Sequence, residues 1–397
     1  MKNLADKGFS MNALNYDVVV IGAGLLGAAT AAALCKSGKK VCVFEAHAPH
    51  HVQGSSHGQT RITRRLNEIP VFNETAADSL QAMRAMERVA GAIVRDVPAI
   101  FVMEKNFEAY RSLKSSADKI EEILAADIKK LGLHVADNQI GLIDHGAAVF
   151  NPEKILDRLY DQIKEHGGYI FFDTAVLRWE DSDSGVKMTT ENHPPVHAGQ
   201  LVIAAGGWTP DVLQKGNADN KIIEPLSKAM NVTRIPLFYY DYPDDLADLI
   251  VIMILNDNSL GMYALPEIRS DGRKFLKVGF HEGQVFENPE TVDRIVSMDE
   301  KNSTTAYFEK LLQRKMTLHE TSVCLYATAD DRELPVIDTL PGTHNIYLSS
   351  YGGGICAKHA IALGNALSLI MQGEKAPYDM SAFSAARLLK NSASLQP

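Results

Sequence analysis

The apolar run "VVVI" at residues 18–21 breaks at glycine and resumes as "LLGAATAAALC", leaving residues 18–35 without a charge for eighteen positions. That length would satisfy a crude membrane filter. A β-branched start followed by small residues instead fits a strand buried on both faces and a closely packed helix. With "KVCVFEA" following, the stretch predicts strand, glycine turn, helix, strand, about the length of one βαβ unit. Beyond it, "GSSHGQTRITRR" at 54–65 reads as a polar, glycine-bounded loop, and apolar spacing predicts helix from Asn73 to Ile100. "NPEKILDRLYDQIKEHGG" predicts a helix with Pro152 near its start and glycines at its end. "YIFFDTAVLRWE" and "QLVIAAGG" then predict strands.

From about Lys221 to His319 the pattern changes to short strand-like runs, "RIPLFYYDY", "LIVIMIL", "GMYALP" and "KFLKVGFH", separated by acidic or Gly/Asn turns. That predicts an inserted antiparallel sheet. The tail "HNIYLSSYGGGICAKHAIALGNALSLIMQG" returns to strand, glycine turn and helix. The 397 residues exceed one comfortable core, so two domains are expected.

Composition, 46% apolar and 22% charged, is ordinary for a globular chain. The net charge of −9, with no basic block longer than "TRITRR", lacks the electrostatic footprint of a nucleic-acid or anionic-membrane binder. A small-molecule partner is expected. Four cysteines, at 35, 42, 324 and 356, make neither a C-x-x-C pair nor a metal-ligand spacing, which argues against a disulfide framework and a zinc site. The first sixteen residues have no apolar core of signal-peptide length, and "SASLQP" is no peroxisomal address, so a cytoplasmic chain with a mobile leader is expected.

Gly22, Gly24 and Gly27 stand at G-x-G-x-x-G spacing directly after the first strand, and Glu45 ends the next strand eighteen residues beyond Gly27. A dinucleotide needs this arrangement. The first glycine permits the tight turn, the second lets pyrophosphate approach the helix N-terminus, the third lets the helix pack closely, and the carboxylate takes the ribose hydroxyls. "GSSHG" at 54–58 also matches the serine-hydrolase elbow G-x-S-x-G with Ser56 as nucleophile. That elbow requires a strand immediately before and a helix immediately after, and neither is expected here.

Four blocks together, the glycine fingerprint, "GSSHGQTRITR", "VCLYATADDRELPVID" and "HNIYLSSYGGGICAKHAIALGNAL", resemble the monomeric sarcosine oxidase and N-methyltryptophan oxidase group of FAD-dependent amine oxidases, over nearly the whole chain from Tyr16 to about Met380. A fifth, "LKVGFHEGQ", looks like the strand carrying that group's oxygen-activating lysine. The resemblance implies an α/β fold, mixed α+β: a Rossmann-like FAD-binding domain from 15–93, 148–222 and 323–389, an inserted antiparallel-sheet substrate domain from 94–147 and 223–322, and tails at 1–14 and 390–397. It implies FAD contacts at Gly22, Ala23, Gly24, Leu25, Leu26, Gly27, Glu45, Ala46, Gly353, Gly354 and Lys358, and at Val176, Gly206 and Trp208, with His57 and Thr60 in the matched loop.

On residue type alone, Cys324 is a buried small hydrophobe. The resemblance implies instead that it carries the flavin as a thioether to the 8α-methyl, a bond a thiolate is competent to make. Arg64 and Lys358 match the two cations that hold the substrate carboxylate, Arg as a planar fork and Lys as a point charge. Lys277 matches the lysine that speeds reaction of the reduced flavin with oxygen, and Arg61 an arginine near the flavin ring that favours the anionic reduced form. His281 and Tyr326 match active-site positions, and Met262 stands where sarcosine oxidases carry a pocket tyrosine, beside Tyr263. Taken without the resemblance, Lys277 with Arg273 and Lys274 could be a basic strand edge, "RITRR" a solvated charge run and Lys358 a surface lysine.

Departures fall on the substrate side. The family's "GHGFK" is here "GGICAK", which puts Ile355 and Cys356 beside the flavin, and "AYGEG" is replaced by "RLNEIP". The expected activity is therefore oxidation of the C–N bond of a secondary N-methyl or cyclic amino acid by a monomer, with O2 as acceptor giving hydrogen peroxide and an imine. An amino-acid dehydrogenase using another acceptor and a catalytically idle flavin-binding protein are the alternatives.

Overall fold

The computed structural model describes residues 14–67, 69–106, 110–115, 120–243, 246, 250–256, 259–329 and 334–393. Part of the matched "ADDREL" segment, residues 330–333, and residues 1–13 and 394–397 of the expected tails lie outside them. Among the described residues the chain forms two large sheets and one small one. The first sheet runs in the order Val176–Ser182, Gly185–Thr190, Val196–Ile203, Leu14–Ile21, Val41–Phe44, Tyr169–Phe171, with Ile346–Ser350 also paired to Val196–Ile203. Its central pairings are parallel. Val18, Val20, Val41 and Val43 face the Leu25–Lys36 helix side, whereas Val19, Ile21, Cys42 and Phe44 belong to the core on the other face. Burial on both faces is why "VVVI" and "VCVF" contain no polar alternation.

The Leu25–Lys36 helix is pressed against the Ala360–Met371 helix through small residues. A Cβ on Gly364 would lie 2.8 Å from Cβ of Ala29. No described helix is long and apolar enough to cross a membrane.

The second sheet has nine strands, with Met230–Asp241 flanked by Lys274–Phe280 and by Leu318–Ala329. Its two faces cover different cores. Leu237, Tyr239, Tyr263, Leu265, Phe275, Cys324 and Tyr326 lie in one, and Phe238, Tyr240, Met262, Leu276, Val278 and Val323 in the other.

Several local expectations are corrected. The helix predicted over Asn73–Ile100 is Pro70–Ala90 and stops at Gly91, whose φ of +71° suits a residue without a side chain. Ala99–Glu104 is instead a strand of the second sheet. "YIFFDTAVLRWE" divides into Tyr169–Phe171 and Val176–Ser182, on opposite edges of the first sheet, with Asp173 between them at φ +51°. The loop "GSSHGQTRITRR" contains a short strand, Arg61–Thr63, paired with Ala148–Phe150. The inserted sheet is not wholly antiparallel, because Val251–Asn256 runs parallel to Ala99–Glu104. The cut drawn between 322 and 323 passes through one strand, Leu318–Ala329, which belongs to the second sheet.

Candidate active site

The three glycines of the first turn answer to three different constraints. Gly22 has φ +102°, and a Cβ there would overlap the carbonyl oxygen of Ala204. A Cβ on Gly24 would come to 3.0 Å from Ser56 Oγ, across the space in front of the helix. A Cβ on Gly27 would collide with the carbonyl oxygen of Gly22, so the helix could not pack so close to the turn. The amide of Leu25 donates to Ser56 Oγ at 3.1 Å, and Glu45 accepts from the amides of Ala23 at 2.8 Å and His47 at 3.1 Å. This is an anion cradle at a helix N-terminus, with a carboxylate one strand away.

From that turn a cleft reaches the far sheet, its wall running from Gly22 and Glu45 to Leu325 and Tyr326, a span that suits a long, two-ended molecule. Ala23, Gly24, Leu25, Leu26, Glu45, Ala46, His57, Arg61, Val176, Gly206, Trp208, Gly353 and Gly354 line it together. Trp208 is held by its Nε1–H donating to Glu290 Oε1 at 2.6 Å and by edge contact with His47. His57 is 7% exposed, and its Nε2 has no hydrogen-bond partner among the described residues. Burial first, then Arg61 and Lys277, pull that imidazole down to about 3, so it is neutral at physiological pH. A neutral imidazole with an orphaned nitrogen on the cleft wall fits a polar cofactor atom.

A smaller pocket adjoins the cleft and shares Arg61, Tyr326, Gly354 and Ala357 with it. Cys324 and Tyr326, two apart on one strand, both face this side. Arg64, Lys358, Lys277, His281, Tyr263 and Ile355 complete much of the wall, with Leu237, Met253 and Leu265 as apolar lining. Arg64 lies 5.3 Å from the Phe101 ring centre and donates to the carbonyl of Leu66. Lys358 is 3% exposed, and its Nζ donates to the carbonyl of Ile355 at 3.1 Å. It is no surface lysine. The Tyr263 and Tyr326 hydroxyls are 3.0 Å apart, and His281 meets the Tyr326 ring edge-on at 5.8 Å. Cys324 is 2% exposed, and within the apolar core on this face it lies on a pocket wall shared with Arg61 and Lys277.

Lys277 is 2% exposed, whereas Lys274 at the start of the same strand is exposed. Its Nζ donates to the carbonyl of Thr60 at 3.1 Å, and Arg61 donates to the carbonyls of Ser55, His57 and Thr60. One short loop thus gathers both cations. Burial first, then the neighbouring Arg61, bring Lys277 down from the ordinary 10.5 to about 7. Between those values the unfolded chain holds this proton and the folded chain does not, so raising the pH favours the folded state. Relative to Lys277→Met, the wild type is expected to gain stability between pH 7 and 10, read as denaturation midpoints. A constant difference between the two would contradict the depressed amine.

Met262 is the one expected pocket residue the structure turns away. It is 1% exposed in the core on the opposite face of the sheet, among Phe238, Leu276 and Phe308, and Tyr263 takes the pocket position. Side chains alternate along a strand, so an error of one residue exchanges the faces. Lys358 lines the smaller pocket only, Gly27 acts through packing, and Thr60 acts through its carbonyl. Ser56 meets the helix N-terminus and does not stand on a hydrolase elbow. Sequence reasoning missed Tyr160, whose hydroxyl donates to the Ala23 carbonyl at 2.7 Å, and Tyr351, held at φ +51° beside the cleft. A lone Tyr carries no spacing signal. Cys356 lines the cleft, and burial raises its thiol to about 12.

A glycine cradle at a helix N-terminus, opening through a long cleft onto a pocket of cations and tyrosines, defines a dinucleotide-dependent redox enzyme. The FAD dependent oxidoreductase family model matches residues 17–368, and the chain belongs to that family. It is 28% identical over 393 residues to a Caenorhabditis elegans protein carrying the provisional name sarcosine oxidase, covering 94% of this chain and 98% of that one. It is 26% identical to the monomeric sarcosine oxidase of Bacillus sp. strain B-0618, covering 94% and 96%. Among solved structures, NikD, described as an unusual amino acid oxidase essential for nikkomycin biosynthesis, superimposes with a TM-score of 0.79 at 19% identity, covering 94% of this chain and 98% of that one; the likeness is one of fold.

Proposed function

We propose that this chain oxidises a secondary N-methyl or cyclic α-amino acid at the C–H beside nitrogen, with FAD tethered at Cys324 and molecular oxygen as acceptor. The observation that carries the reading is the placement of Arg64 and Lys358 on a small pocket whose wall is continuous with the dinucleotide cleft. These two cations suit a carboxylate, and the apolar part of the wall, Leu237, Met253, Leu265 and Ile355, suits an aliphatic N-substituent. The relatives named sarcosine oxidase support the same substrate class, and the name monomeric supports a monomer.

Bound FAD supplies the two-electron acceptor, and the amine leaves as an imine that water hydrolyses. The residues of the chain do the rest by placement. Arg64 and Lys358 hold the carboxylate, which fixes the α-nitrogen and the carbon beside it, so proximity provides much of the rate. Leu237, Met253, Leu265 and Ile355 keep water from the reacting carbon and favour the unprotonated amine. Lys277 stabilises negative charge as oxygen takes up its first electron.

The test is peroxide release from a panel of N-methyl and cyclic amino acids, run with and without oxygen. Turnover with a dye but no peroxide in air would assign a different acceptor. Bound FAD that no amine bleaches would overturn the enzyme reading. For the tether, acid-precipitated protein is expected to stay yellow, with the flavin mass on a peptide containing Cys324. Colour released wholly to the supernatant would remove it.

A further inference from the structure

Lys277 is a buried cation with too few counter-charges close by. The loop at residues 54–60 contributes Thr60, through a carbonyl, and a neutral His57, and Arg61 just after it disfavours a proton on Lys277. The adjacent Met230–Asp241 strand contributes the ring of Tyr239, whose centre is 5.8 Å from Nζ. Leu318–Ala329 contributes Cys324, and the Pro152–Glu165 helix contributes Glu153, whose Oε1 is engaged by the amide of Gly58 at 2.9 Å.

Arg64, Lys358, His281 and Tyr326 share the Lys277 pocket, and the remaining carboxylate is on the Ser259–Ile268 strand. Leu265 pairs with Lys277 and Glu267 with Phe275, so Tyr263, Leu265 and Glu267 share the Lys277 face, and Glu267 is its diagonal neighbour. Glu267 is 2% exposed. Its Oε1 takes Arg269 Nε at 3.1 Å, while Oε2 is buried and makes no hydrogen bond to any described residue. Arg269 is also claimed by Glu320, which is half exposed, and stacks on Phe275 at 4.3 Å. Arg269 is thus shared between two carboxylates, which leaves Glu267 free to act on Lys277 across the same face.

We infer that Glu267 is a positioning residue that keeps Lys277 protonated along the shared sheet face. The inference rests on the oxygen-activating role proposed for Lys277. Burial lowers the Lys277 amine most, Arg61 pushes its proton off further, and Glu267 holds it on, which leaves the amine titrating at about 7. Glu153 is a weaker partner of the same sign, engaged with the loop amide.

The test is Glu267→Gln, which keeps an acceptor for Arg269 and nearly the same shape. In protein carrying ¹³C-labelled lysine, the Lys277 signal, identified by its absence in Lys277→Met, is expected to titrate about one unit lower in Glu267→Gln than in wild type, as removing one charge at diagonal distance implies. The rate of the reduced holoenzyme with oxygen is expected to fall with rising pH about one unit earlier as well. Lys277→Arg, a permanent cation, should abolish that limb, and Glu267→Gln added to it should shift nothing. An unchanged lysine midpoint in Glu267→Gln overturns the pairing. A shifted midpoint with an unshifted oxygen profile supports the pairing and overturns the role proposed for Lys277.

Discussion

Replacing Lys277 with Met is expected to slow reoxidation of the reduced enzyme by about 10²–10³, the cost of losing one fixed donor aimed at a developing anion. Reduction by the amine substrate should change little, because the carboxylate contacts proposed above are Arg64 and Lys358, not Lys277. Stopped-flow mixing of anaerobically reduced protein with oxygenated buffer separates the two half-reactions. The wild-type rate should also fall as pH rises through about 7, where the buried amine loses its proton. Equal reoxidation rates in Lys277→Met and wild type would leave the lysine as a structural residue whose burial serves some other end.

Removing the Arg64 side chain as Arg64→Ala is expected to weaken carboxylate ligands by about 10- to 150-fold, since each charge-assisted hydrogen bond contributes about 1.5–3 kcal/mol. Titration of a carboxylate inhibitor, followed by flavin absorbance, reads the change. An amide analogue without the carboxylate should bind wild type and variant alike. Unchanged affinity for the acid would show that Lys358 alone, or neither cation, engages it. Arg64 also packs over Phe101, so a comparison with Arg64→Met separates charge from lost packing.

The cofactor half was legible because its constraints are local. A turn at φ +102°, a helix pressed on that turn and a carboxylate ending the next strand fall within about thirty residues and demand particular residue types. The substrate half was legible only as far as the matched blocks reached. Met262 and Tyr263 show the limit: the strand was evident from its composition, but its face depends on pairing with Lys274–Phe280, which no local pattern records. Ala99–Glu104 shows the same limit, since its apolar spacing continued a helical pattern until Gly91 ended the helix and the second sheet captured what followed.

The amino-acid order by itself determined the glycine cradle, the strand and helix flanking it, and the residue types that a dinucleotide and a carboxylate require. Only the tertiary structure decided that Cys324, Lys277, Arg61, Arg64 and Lys358 meet on one pocket, and that Glu267 shares a face with Lys277. These groups come from separate stretches spread over nearly three hundred positions. The energy that joins them is non-directional apolar burial on two faces of a sheet, together with a strand register, and neither is written in any one segment.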